Sequence, residues 1–242
     1  MVALLAALAM LATPPAPMGG GSVGKAFDGR LQNGIEMPVE GRHHRFTGVA
    51  QKKKSHYGTL EMVQLLQRAA ATVSYFVDGP PMVLGSISKK HGGKMNPHKS
   101  HQAGRDVDIL FYVVDAEGRR RRARGFFDFD KKGRCTHRAC VGWTFDVQRN
   151  WWLIRTLVWS QRPQIQYVFV SRGLRALMLS YAEKRGEHPE ILARARKVLV
   201  QPGNSSPHAD HFHVRIYCSR RDKVAGCVDN GPRWQWTRHA KK

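Results

Sequence analysis

Acidic residues are scarce in this chain: 18 Asp and Glu stand against 40 Lys and Arg, a formal charge of +22. So lopsided a balance excludes an acidic solvating segment and favours polyanionic partners, whether nucleic acid, anionic lipid or an acidic wall polymer. It gives the sign of a partner and no reaction. Long apolar runs are lacking as well. Residues 2–12 form the one candidate, too short for a comfortable membrane span but suited to the core of a signal peptide. Pro14, Pro15 and Pro17 follow at once, and no Lys or Arg precedes the run. Residues 1–22 are therefore expected to be a signal peptide, leaving a mature chain without a stable membrane span. Cysteine is rare, with four residues in two close pairs, Cys135 with Cys140 and Cys218 with Cys227. Spacings of five and nine residues fit a four-cysteine zinc site poorly, since structural sites set their ligands two to four residues apart. Four cysteines allow three pairings; two local disulfides in an oxidising compartment are the simplest. Internal repeats are absent.

The remaining composition is that of a globular protein, 42% hydrophobic and 24% charged, and 242 residues suffice for one core. Residues 23–54 are Gly-rich and expected to be an irregular extension, with a single domain over 55–242. Helical spacing of Leu60, Met62, Val63, Leu65, Leu66, Ala70 and Val73 predicts a helix over about 59–77, ended by Pro80 and Pro81. A short strand is expected over 82–88 and a loop over 89–104. A strand rich in β-formers should run from Asp106 to Val114. Residues 115–140 read as a basic, turn-rich insertion, with its run Arg119 to Arg124 in a solvated loop. A helix over about 145–161 starts at Asp146 as N-cap, a buried strand follows at 167–171, and helices are expected over 173–184 and 189–199. His211 to Tyr217 alternates strictly, as a half-buried strand does. This order predicts an α+β fold, with a mainly antiparallel sheet carrying a metal site and helices flanking it.

Histidines concentrate in two segments, Pro97-His-Lys-Ser-His101 and Pro207-His-Ala-Asp-His-Phe-His213. On a strand, His211, His213 and Arg215 share one face, and Phe212, Val214 and Ile216 the other. Likewise Asp106 and Asp108 oppose Val107, Ile109 and Phe111. A carboxylate at Asp108 is costly to bury without a partner, and a metal ion is such a partner. His101 lies seven residues upstream, and a turn at Gly104 can bring it back. His101, Asp108 and His213 together give three ligands, the count that leaves a fourth position open on catalytic zinc. One Zn2+ per chain is expected. His211 is placed to take a proton from water, and either His98 or His208 to donate to an oxyanion.

The stretch Gly85-Ser-Ile-Ser, Gly92-Gly-Lys and Pro97-His-Lys-Ser-His-Gln-Ala-Gly-Arg-Asp-Val-Asp-Ile109, with His208, His211-Phe-His213-Val-Arg215, closely resembles the penicillin-insensitive murein endopeptidases. That family sits in the wider lysostaphin and D-Ala-D-Ala metallopeptidase group, and the likeness covers roughly residues 55–230. The resemblance implies His101, Asp108 and His213 as zinc ligands, His211 as the histidine assisting water attack, and His98 and His208 as further active-site histidines. It also implies a disulfide between Cys218 and Cys227, peptidoglycan cross-links as substrate, and the bacterial periplasm or exterior as location. The chain departs from the family in its 115–140 insertion, its Cys135 and Cys140 pair and its charge. Its charge suits an anionic cell-wall surface. A D,D- or L,D-carboxypeptidase, with Arg105 or Arg215 meeting a terminal carboxylate, is the alternative. A nucleic-acid-binding protein is a distant one: nucleic acid is not an expected partner, because no motif for it is present.

Overall fold

A computed structural model describes residues 19–203 and 205–237; the expected leader lies outside them. At the centre is a six-stranded sheet, ordered Leu199–Val200, Ile165–Phe169, His211–Ile216, Asp106–Leu110, Met82–Leu84 and His44–Phe46. The three inner junctions are antiparallel and the two outer ones parallel. The fold is thus α+β as expected, but the sheet is mixed. Which strands pair, and in which direction, is not specified by residue alternation alone.

Helices form where the sequence supplies both a cap and an apolar stripe. In Leu60–Phe76, the Thr59 hydroxyl accepts from the Met62 amide, and Met62, Val63, Leu65, Leu66, Ala69, Ala70 and Val73 are buried. Helix Val147–Trp159 starts at Asp146, whose carboxylate accepts from the Arg149 amide at 3.0 Å. Arg172–Lys184 and Pro189–Val198 complete the set. These helices share one core with Val107, Ile109, Phe212, Val214 and Ile216. Each such side chain, fully buried, contributes about 1.5–3 kcal/mol, so register at the two inner strands is firmly held. A one-residue slip would drive Asp106, Asp108 and His213 into that core.

Residues 23–54, expected to be irregular, are structured. Gly21–Lys25 pairs with Asp28–Gln32 as an antiparallel hairpin, and His44–Phe46 joins the central sheet beside Met82–Leu84. The 115–140 insertion is exposed, as expected, but tied down: Arg119 and Arg121 grip Asp115 at 2.9 and 2.6 Å, and Arg120 grips Asp146 at 3.0 Å. Cys135 pairs with Cys140, and Cys218 with Cys227. Among the described residues, no helix is long and apolar enough to cross a membrane.

Candidate metal centre

Pairing between Asp106–Leu110 and His211–Ile216 sets His213 opposite Asp108 and Arg215 opposite Asp106. The face turned away from the core therefore gathers both carboxylates, two histidines and an arginine. The preceding loop returns His101 through Gly104, whose φ of +70° is the left-handed conformation such a turn needs. A Cβ at Gly104 would also sit 2.7 Å from Leu31 Cδ1.

All six histidine and aspartate residues singled out from the sequence line one cleft of about 1120 Å³. Around Asp108 Oδ1 lie His101 Nε2 at 3.2 Å, His211 Nε2 at 3.4 Å and His213 Nδ1 at 3.4 Å; His98 Nδ1 is 3.7 Å from Oδ2. His208 joins His211 and His213, the donor atoms of the three lying within 4.8 Å of one another. The far side of four of the five rings is anchored. His101 Nδ1 donates to the Ile87 carbonyl at 2.8 Å and His213 Nε2 to Asp106 Oδ1 at 2.9 Å. His211 Nδ1 donates to Asp210 at 2.7 Å, and His208 Nδ1 to the Ser206 carbonyl at 2.9 Å. Neutral rings held this way turn a lone pair inward at His101 Nε2 and His213 Nδ1.

The first of these atoms, and the carboxylate beside it, are not satisfied by the protein. His101 Nε2 and both oxygens of Asp108 are buried without a hydrogen-bond partner among the described residues. Buried polar atoms rarely stay unpaired, so three at one spot mark a site for a guest. Backbone strain points to the same place. His101 has φ +68° and His208 φ +54°, values that cost a residue with a Cβ about 1–2 kcal/mol. Ser88 Oγ holds the His101 carbonyl at 2.6 Å, and the Ser171 amide holds that of His208 at 2.9 Å.

Charge is unevenly shared. Burial favours the protonated form of Asp108, yet His101 and His211 hold its carboxyl well below the usual carboxylate range. Burial depresses His211 too, but Asp108 and then Asp210 outweigh it and raise the ring to about 10. His98 and His208 are lowered to about 4, first by burial and then by neighbouring histidines. Both are neutral at physiological pH.

Three side chains at the site were given no role by the sequence. Asp106, buried, takes His213, Arg215 Nε at 2.7 Å and the His101 amide at 3.3 Å; its place on the Asp108 face was the available signal. Asp210 orients His211. Phe126, from the insertion, lines the cleft with its ring edge-on to His211 at 5.1 Å between centroids. It lies in a notch at Gly85, where a Cβ would fall 2.8 Å from Phe126 Cζ and 2.9 Å from Asp108 Cβ. Arg105 corrects the sequence reading in the other direction. Its guanidinium, buried, binds Ser22 Oγ, the Ile216 and Val228 carbonyls and Asp229, so it does not face the cleft. Arg215 does line it.

Fold and site together define an α+β domain with one cleft around a histidine–carboxylate cluster able to hold a metal ion. The family model for penicillin-insensitive murein endopeptidase matches residues 22–235, and the chain belongs to that family. Proteins named penicillin-insensitive murein endopeptidase from Escherichia coli O139:H28 and Shigella boydii serotype 18 are each 31% identical over 231 residues, covering 90% of this chain and 76% of the relative. The match begins well before residue 55 and takes in the N-terminal hairpin and the His44–Phe46 strand.

Proposed function

We propose that this chain is a zinc-dependent endopeptidase that hydrolyses peptide cross-links of peptidoglycan, of the D-alanyl–meso-diaminopimelyl type. The supporting observation is the set of buried, unpaired, inward-facing atoms at His101 and Asp108, completed by the lone pair of His213 Nδ1. Two imidazoles and a carboxylate suit zinc, and the Asp106–His213 contact is the outer hydrogen bond that ligating histidines usually carry. When bound, zinc supplies Lewis acidity toward a carbonyl and eases the ionisation of water.

The side chains divide the remaining work. His211 accepts a proton at Nε2 while Asp210 fixes its Nδ1–H. A cation engaging Asp108 would remove the strongest anionic support of His211 and lower its ring from about 10, the direction a base requires. His208 has its one N–H on Ser206, so as a neutral ring it accepts at Nε2. His98, neutral and at the cleft, is therefore the better oxyanion donor. Arg215 is bonded to Asp106 and buried, which disfavours the carboxypeptidase alternative. The family assignment disfavours the nucleic-acid alternative. Paired cysteines and the substrate both suit a periplasmic or secreted location.

Mass spectrometry of muropeptides tests this. Purified protein should convert cross-linked dimers to monomers, leave monomeric stems intact, and stop when a chelator is added. Cleavage indifferent to chelator, or trimming of monomers alone, would refute it.

A further inference from the structure

A second concave site lies apart from the catalytic cleft and shares none of its lining residues. This groove, of about 950 Å³, is bordered by Arg162, Arg220, Arg221, Lys223 and Arg233, with Glu61 as its one carboxylate. Its cations come from three stretches of chain, all exposed. The disulfide Cys218–Cys227 closes the loop carrying Arg220, Arg221 and Lys223. Tyr217 also lines the groove; its hydroxyl donates to the Pro232 carbonyl at 2.7 Å and accepts from the Trp234 amide at 3.1 Å, which fixes the segment bearing Arg233. Lys223 is paired with Asp229 at 3.1 Å, whereas no carboxylate among the described residues pairs with Arg162 or Arg233.

Five cations against one groove carboxylate leave an excess of positive charge even with Lys223 paired, and an anion relieves it. Guanidinium forks match carboxylates and phosphates alike, and the wall-hydrolase reading supplies the carboxylates. The groove's distance from the chemistry is set by one strand. His213, on the strand His211–Ile216, lines the cleft, and Tyr217, just past the strand's end, lines the groove. At about 3.3 Å per residue the two are roughly 13 Å apart. A ligand here therefore sits beyond the scissile bond itself, on another part of the stem peptides or of the polymer.

We propose that this groove binds free carboxylates of peptidoglycan stem peptides remote from the bond being cut, and so holds the enzyme on the wall. The proposal rests on the wall-hydrolase reading. The test uses the full chain carrying Arg162→Gln and Arg233→Gln, two exposed positions outside the catalytic cleft. Co-sedimentation with intact sacculi, with sacculi whose carboxylates have been amidated, and retention on DNA are measured across a salt series, alongside kcat/KM on a soluble cross-linked dimer. Sacculus affinity should fall roughly fivefold with a shallower salt dependence, on the scale of two lost surface ion contacts. Amidation should weaken the parent at least as much, and the variant's kcat/KM on the dimer should not change. Unchanged sacculus binding, parent binding that ignores amidation, or a loss confined to DNA would overturn the assignment. A matching fall in dimer turnover would also overturn it, by making the groove part of the catalytic machinery or the fold. A parent that binds sacculi through carboxylates yet cuts no dimer would sink the endopeptidase reading and leave this site standing.

Discussion

Replacing Asp106 with Asn tests how the centre is held together. Asp106 Oδ1 accepts from His213 Nε2 at 2.9 Å and from Arg215 Nε at 2.7 Å, and Oδ2 from the His101 amide at 3.3 Å. Burial would raise its carboxyl, but Arg215 and His213 keep it far below the usual carboxylate range, so it is an anion in the folded protein. An asparagine has nearly the same shape and no charge. With its carbonyl in place of Oδ1, the contacts to His213 and Arg215 persist as weaker neutral-acceptor bonds. Its amide then faces the His101 N–H, donor against donor. Charge-assisted hydrogen bonds are worth about 1.5–3 kcal/mol each, and breaking a buried pair costs about 3–5 kcal/mol. Retaining two contacts in weakened form sets the expected destabilisation at about 2–4 kcal/mol. His213 also loses the anion that selects its tautomer, for which outer partners of ligating histidines typically cost about 10–100-fold in metal affinity. Competition against a chromogenic chelator reads the affinity, and urea unfolding reads the stability. An Asp106→Asn protein binding zinc as tightly as the parent would show that the carboxylate does not orient His213.

Three further outcomes follow from the same geometry. His211→Ala should retain zinc by metal analysis while kcat falls on the order of a hundred- to ten-thousand-fold, the usual worth of a positioned acid–base group; parental turnover would remove His211 from catalysis. Phe126→Ala should raise KM for cross-linked peptide several-fold with little change in melting temperature, because Phe126 is 40% exposed and contributes to the cleft wall more than to the core; a large fall in melting temperature would make it structural instead. Asp222 gives a pH dependence of stability. Burial, aided by Glu61, raises its folded carboxyl to about 6, above its ordinary value. The folded state thus favours the protonated form, and stability from this group is present at acid pH and lost as pH rises through about 6. Asp222→Asn should then gain on the parent between pH 4 and pH 7, on the order of 2 kcal/mol by urea unfolding; a constant difference across that range would contradict the shift.

Much of the site was legible because two short strands bury one face completely. Val107, Ile109, Phe212, Val214 and Ile216 leave no freedom about where Asp106, Asp108, His211 and His213 point, so alternation alone placed them together. What escaped depended on long-range partners. Gly-rich sequence over 23–54 read as irregular, yet Gly29 lies where a Cβ would meet the Lys25 and Val23 carbonyls at 2.4 Å, and its smallness is what lets the hairpin close. The insertion read as solvated loop, yet Arg120–Arg121 pair with Val113–Val114 as a short exposed strand, and its Phe126 reaches the cleft through a notch at Gly85 some forty positions earlier in the chain. Arg105 shows the converse. Its neighbours suggested the cleft, but residues more than a hundred positions later supply its partners.

The two anchored rings differ in which nitrogen they offer. His213 offers Nδ1, the atom nearer its own main chain, and His101 offers Nε2, the atom farther out. One wall of the centre is therefore a rigid strand pressed close behind its donor, while the other stands back at the full reach of an imidazole. Short and long amide side chains ought not to be interchangeable stand-ins here. Asparagine approximates the reach required at 213 and glutamine the reach required at 101, so exchanging the two would misplace the donor on both sides at once.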